Sequence, residues 1–173
     1  MNRELWLLRH GKSDRNLAVD DFDRPLKKRG KRDAERIGTW LHQLHLIPDW
    51  IVSSPAKRAI LTAKIVHKAI ALEGLVINQD KRLYQEGFER LKTVLAECPL
   101  GARRVLLVGH NPELEDLLIN LVGATNLPDA EKLLPTATLA RLLMPNDWTD
   151  LDAGCAKLQS IVYAKSLPEE SIQ

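Results

Sequence analysis

Apolar residues in this chain alternate between short continuous runs and longer stretches in which they recur every three or four positions. Leu5-Trp6-Leu7-Leu8 is the first run, and it ends abruptly in Arg9-His10-Gly11, as a strand buried on both faces does where it meets a polar loop. A polar stretch, rich in Asp and Lys, reaches to Gly30. Ala34, Ile37, Leu41 and Leu44 then fall at spacings of three, four and three, which predicts a helix over 32–44, ended by Pro48. Trp50-Ile51-Val52 predicts a second strand. Ser53-Ser54-Pro55 carries a helix-start signature, a hydroxyl at the cap with proline at the first helical position, and Ala59, Ala63, Val66 and Ile70 form the apolar face of that helix. A third strand is expected over 75–77. Phe88, Leu91, Val94 and Leu95 mark a helix that stops near Pro99, and the clearest strand of all, 105–108, is bounded by Gly109. The helix after Pro112 shows Leu114, Leu117, Leu118 and Leu121 on one face. Residues 123–135 read as loop with a short helix around 129–134; two further strands follow over 138–143 and 157–163, expected to run antiparallel at an edge, and the tail from Ser166 is expected to fray.

Strands alternating with helices predict an α/β domain with a mostly parallel central sheet and helices on both faces. The 173 residues, 45% apolar and 28% charged, suit one domain over 1–165 built on one sizeable core. Lys and Arg number 25 against 23 Asp and Glu, a formal net charge of +2, which argues against nucleic acid or an anionic membrane as the main partner. Cys98 and Cys155 show neither a disulfide framework nor zinc-ligand spacing, so a reducing compartment is expected. The apolar run before Arg9 is too short for a signal peptide, and no stretch approaches the ~18 apolar residues of a membrane span. These features predict a cytoplasmic protein.

Ligands of open α/β sheets bind beyond the carboxyl ends of the strands. Arg9 and His10 follow the first strand, Ser53, Ser54 and the helical turns containing Arg58 follow the second, and His110 follows the strand over 105–108. Each signal alone is matched by an ordinary solvated strand end or turn. Together they bring two arginines, two histidines and a helix N-terminus to one end of the sheet, which describes a phosphate pocket. A histidine inside such a pocket can attack phosphorus while a second donates to the same oxygens.

Leu8-Arg9-His10-Gly11, the segment Ser53-Ser54-Pro55-Ala56-Lys57-Arg58-Ala59 with Thr62-Ala63, and Val108-Gly109-His110-Asn111-Pro112 resemble the histidine phosphatase superfamily. Arg24-Pro25-Leu26 before Arg29-Gly30, Leu83-Tyr84, Pro135-Thr136-Ala137, and Trp148 through Leu151 to Gly154 and Leu158 are similar, more narrowly, to the small phosphohistidine phosphatases of the SixA type. The resemblance covers nearly the whole chain, from about Leu5 to Pro168. It implies a three-layer α/β/α sandwich of phosphoglycerate mutase-like fold. It also implies that His10 is the nucleophile that becomes phosphorylated, and that Arg9, Arg58 and His110 bind the phosphoryl oxygens. Attack then needs the reactive nitrogen of His10 unprotonated, with the other ring nitrogen donating to a fixed acceptor such as a backbone carbonyl. Asn16 lies where many members have a phosphate-contacting asparagine, with Ser13 close by. Glu86 is the nearest candidate for the general acid; its alternative is a solvated loop carboxylate.

SixA-type proteins commonly lack an acid at the usual place, and the chemistry of the leaving group gives that a meaning. An alkoxide needs a proton, whereas imidazole, with a pKa of roughly 6.5, departs with far less help. The expected activity is therefore hydrolysis of phosphohistidine on proteins such as phosphotransfer domains, releasing inorganic phosphate without metal or other cofactor. So short a chain leaves little for lids, so an open pocket is expected. The alternatives are a small-molecule phosphomonoesterase of the same superfamily and a non-catalytic phosphate-dependent binding module. His42, His45 and His67 read as surface or boundary residues, Lys27-Lys28-Arg29 with Lys31-Arg32 as a solvated helix start, and Trp6, Trp40 and Trp50 as core.

Overall fold

A computed structural model describes residues 3–168. Its centre is a six-stranded sheet of β1 (Arg3–Arg9), β2 (Trp50–Ser53), β3 (Ile77–Gln79), β4 (Arg104–Gly109), β5 (Thr138–Met144) and β6 (Lys157–Tyr163), in the order β3-β2-β4-β1-β5-β6. The pairs from β3 through β1 are parallel, and β5 runs antiparallel to both β1 and β6. The sheet is therefore mixed, with the antiparallel strand near one edge.

Alternation along β1 explains why its apolar run is unbroken. Trp6 and Leu8 pack with β4 residues Leu106 and Val108 under α1 (Lys28–Gln43) and α2 (Lys57–Ile70), which contribute Ile37, Leu41, Ala63 and Val66. Leu5 and Leu7 face the other way with Val105 and Leu107, against α3 (Phe88–Ala96) and α4 (Glu113–Val122), which supply Leu91, Leu95, Leu114 and Leu118. A strand buried on both faces has no position at which a polar residue is free of cost. The three layers of an α/β/α sandwich follow from this. Trp6 is fully buried, while Trp40 and Trp50 sit half-buried at the margins of the two cores.

Several boundaries differ from the sequence expectation. α1 begins at Lys28 rather than at 32, because its first turn is docked by backbone contacts at Gly30 that leave no apolar periodicity. α2 begins at Lys57 with Ala56 as its cap residue, so Ser54 and Pro55 lie outside the helix. The third strand is displaced to Ile77–Gln79, and no helix forms at 129–134, where the chain bends; a 3-10 turn at Ala124–Asn126 precedes it. Ser166 closes a 3-10 turn and the Leu167 N–H bonds the Ala164 carbonyl at 3.0 Å; of the tail expected to fray, residues 169–173 lie outside the described residues. Among the described residues no helix is long and apolar enough to cross a membrane.

Candidate active site

The strands β2, β4 and β1 are neighbours and parallel, so their carboxyl ends open at one place. Arg9 and His10 leave β1 there, His110 leaves β4, and the segment after β2 turns into α2 carrying Arg58. His10, Arg58 and His110 are all buried, and the two imidazole rings lie 5.2 Å apart between centroids, tilted by 53°. Polar side chains are buried here at a cost that only mutual pairing or a ligand offsets.

Backbone contacts hold this loop. The Ala137 N–H donates to the carbonyls of Arg9 (3.1 Å) and His10 (3.0 Å), and the Ser54 N–H donates to the Val108 carbonyl at 3.0 Å. Thr62 ties α2 to the same loop: its hydroxyl accepts the Gly11 N–H at 3.1 Å and donates to the Arg58 carbonyl at 2.7 Å. Gly11 and Gly30 meet backbone to backbone. A Cβ on Gly11 would stand 2.6 Å from the Gly30 carbonyl oxygen, and one on Gly30 only 2.2 Å from that of Lys12, so neither position accepts a side chain without displacing the loop.

The loop also fixes the tautomer of His10. Its Nδ1 is 2.7 Å from the Gly11 carbonyl oxygen, which can only accept, so Nδ1 carries the proton and Nε2 keeps its lone pair. Burial pushes the His10 imidazole down to about 3, against the opposing pull of the Gly11 hydrogen bond and with help from the charges of Arg58 and Arg9. His110 is likewise pushed down to about 3, by burial first and the Arg58 charge next. Both rings are neutral at physiological pH. His110 Nε2 lies 2.8 Å from the Ser54 hydroxyl, which also accepts the Ala56 N–H at 3.2 Å. Ser54 therefore serves the site rather than capping the helix.

Arg58 is oriented by Asp21, a residue the sequence reading passed over. Its Nη1 donates to the Asp21 carbonyl (2.7 Å) and its Nη2 to Asp21 Oδ2 (3.0 Å). Asp21 sits in a 3-10 turn (Asp21–Asp23) and also accepts from Arg24 (2.9 Å) and from the Tyr84 hydroxyl (2.6 Å). These donors, Tyr84 foremost, hold its carboxyl down at about 2, so it stays ionised beside the arginines. Tyr84 packs its edge against the His110 ring, with centroids 5.5 Å apart. Arg9 anchors through Nη1 to the Leu134 carbonyl at 3.1 Å. Within the site, Arg9 Nε, Arg58 Nε and His110 Nδ1 are buried without a hydrogen-bond partner. Buried donors of this kind suit an anion with several oxygens.

A cavity of about 210 Å³ opens on His10, lined by Arg9, His10, Lys12, Ser13, Arg15, Lys132, Pro135 and Thr136. The structure thus gathers Arg9, His10, Arg58 and His110 at one end of the sheet, of which Arg9 and His10 line the cavity and Arg58 and His110 do not, and it puts Ser13 in the cavity wall, where its hydroxyl accepts from Arg24. Asn16 and Glu86 do not line it. Asn16 is exposed, its N–H turned to Asp14 Oδ1 (2.9 Å) in a local turn that presents the preceding Arg15 instead. Glu86 is exposed too, 3.8 Å from Arg90 across the start of α3, which is the solvated-carboxylate arrangement. No group of three or more His, Cys, Asp or Glu side chains placed to hold a metal ion occurs among the described residues, and His42 and His45 are exposed. Asp21 gave little signal because an Asp-Asp-Phe-Asp run reads as a solvated turn; its partners Arg58 and Tyr84 are remote in sequence.

The family model for the histidine phosphatase superfamily, branch 1, matches residues 5–94. An uncharacterised protein of Mycobacterium tuberculosis is 31% identical over 156 residues, 87% of this chain and 96% of its own. Among solved structures, a protein assigned as phosphohistidine phosphatase SixA from Agrobacterium tumefaciens superposes with a TM-score of 0.77 at 28% identity, covering 94% of this chain and 98% of that one. Another so assigned, from Nakamurella multipartitia, gives 0.77 at 28%, covering 93% and 95%. The family match over more than half of the chain and the Arg-His-Gly loop at the end of β1 agree: this chain belongs to the histidine phosphatase superfamily, branch 1.

Proposed function

We propose that this protein is a phosphohistidine phosphatase that acts on proteins such as phosphotransfer domains through a covalent phospho-His10 intermediate. The observation that carries the reading is the Gly11 carbonyl at 2.7 Å from His10 Nδ1, which leaves a neutral Nε2 as nucleophile beside the buried Arg58 and the half-buried Arg9. Nε2 attacks phosphorus in line, the P–N bond of the substrate breaks, and its electron pair leaves with the substrate imidazole. Arg9, Arg58 and His110 bind the phosphoryl oxygens as charge spreads over them in the loose transition state. Water then attacks the phosphorus of phospho-His10, its proton passes to solvent, and the P–Nε2 bond breaks to release inorganic phosphate and return His10 to its starting tautomer.

The substrate class rests on the leaving group. Glu86 stands outside the cavity, and Asp21, the carboxylate that holds Arg58, is kept ionised by its donors and has no proton to give. A phosphohistidine protonated on its second ring nitrogen leaves as neutral imidazole and asks for no acid, whereas a sugar alkoxide does. The test compares kcat/KM on a phosphohistidine-bearing phosphotransfer domain with that on glycerol phosphate, without added metal. A preference for the phosphoprotein of about a hundredfold or more is expected, the scale of one general acid–base contribution. Equal or better turnover of the ester would overturn the reading in favour of a small-molecule phosphatase. Binding without turnover, unchanged in His10→Ala, would mark a phosphate-dependent binding module.

A further inference from the structure

Three cations line the cavity beyond the group that holds the phosphoryl. Lys12 and Arg15 project from the loop after His10, and Lys132 comes from the segment before β5. All three are exposed, and none has an ion-pair partner among the described residues. With Arg9 they place four positive charges around about 210 Å³, with no acidic residue among the described lining. The chain as a whole carries only +2, so this concentration is local and not a consequence of a basic composition. Like charges gathered around one concavity repel and raise its potential, and an anion entering it relieves both. The phosphoryl group, engaged by Arg9, Arg58 and His110 in the reading above, leaves Lys12, Arg15 and Lys132 uncompensated.

We propose that Lys12, Arg15 and Lys132 form a second anion subsite that selects phosphohistidines flanked by acidic side chains on the substrate protein. This rests on the phosphohistidine reading and adds to it which carriers are taken. The loop that bears Lys12 and Arg15 is pinned, since the Lys27 N–H donates to the Lys12 carbonyl at 2.9 Å and the Asp14 N–H to the Pro25 carbonyl at 2.9 Å. Their backbone is therefore held in place before substrate arrives, which lowers the ordering cost of the encounter. Charges placed at the rim of a site act mainly on encounter and binding, so the selection is expected in KM and in salt dependence rather than in kcat.

The test uses two synthetic phosphohistidine peptides that differ only in carrying two Glu or two Gln beside the phosphohistidine, at low ionic strength. The wild type is expected to show a KM about tenfold lower for the Glu peptide, the sum of a few exposed charge pairs. The difference should vanish in K12Q/R15Q/K132Q, with kcat on the Gln peptide unchanged. Equal KM for the two peptides in the wild type, or a preference that survives the triple substitution, would overturn the subsite while leaving phosphohistidine hydrolysis standing. Turnover of neither peptide would overturn the phosphohistidine reading and its acidic-flank corollary together. Phosphoglycerate against glycerol phosphate then reads the subsite by itself, and equal KM there would overturn it.

Discussion

His10 owes its chemistry to one neighbour and to burial, which act in opposite directions. The Gly11 carbonyl fixes the proton on Nδ1, while burial removes the tendency of Nε2 to take one, bringing the group down to about 3. In the free protein, nitrogen NMR should therefore show the Nδ1–H tautomer of His10 unchanged between pH 5 and 8. A titration centred near the ordinary value of about 6.5 would contradict the site geometry. Because the folded values of His10 and His110 lie below the unfolded one, the unfolded chain binds more protons between these limits. Stability is thus complete above about 6.5 and falls as pH drops toward about 3. A urea midpoint that declines over that window is expected. Arg58 offers a separate check: its two terminal nitrogens are held by Asp21 and its Nε is buried without a partner, open to the phosphoryl contact proposed above. Arg58→Ala should lower kcat/KM by about 10² to 10³. Its melting temperature should fall less than that of Leu107→Ala, which removes about 2–5 kcal/mol from a fully buried strand position. A loss of Tm equal to that of the core variant would show Arg58 to be a structural residue first.

At the scale of elements, the fold brings a helix start against the loop that bears His10. The first turn of α1 lies on that loop through Gly30, with no room for even a methyl group beside the Lys12 carbonyl. Gly30→Ala should therefore cost stability of about 1–3 kcal/mol by overpacking and reduce turnover as well, since relief requires the loop bearing His10 to move. Unchanged turnover with a normal Tm would mean that the loop tolerates displacement. The strands were legible in the sequence because burial on both faces writes itself as an unbroken apolar run, as in Leu5 to Leu8 and Val105 to Val108. Helix starts were less so. The Ser54 hydroxyl resembles a cap by residue type, yet its hydrogen bonds go to His110 and the Ala56 N–H while α2 waits until Lys57. The start of α1 is set by contact with a glycine across space, which no periodicity records.

For the whole molecule, sheet order decides where function sits. Placing β4 between β2 and β1 unites the three segments that carry Arg58, His110 and Arg9-His10, and two helix pairs bury the opposite faces of the sheet. That convergence was readable because each segment follows a recognisable strand. Asp21 and Lys132 were not, and Tyr84 stood out only as part of the Leu83-Tyr84 resemblance with no role attached, since all three lie in irregular segments whose position is set by tertiary contacts. In the mechanism proposed above, phosphate passes through His10. The direct measurement is to stop turnover of an isotopically labelled phosphohistidine protein at early times and locate the label on the enzyme by mass spectrometry under conditions that preserve phosphoramidates. An acid-labile phosphoryl group is expected on His10 in the wild type, with neither label nor phosphate release in His10→Ala. Label on another residue, or release by His10→Ala at the wild-type rate, would contradict that mechanism.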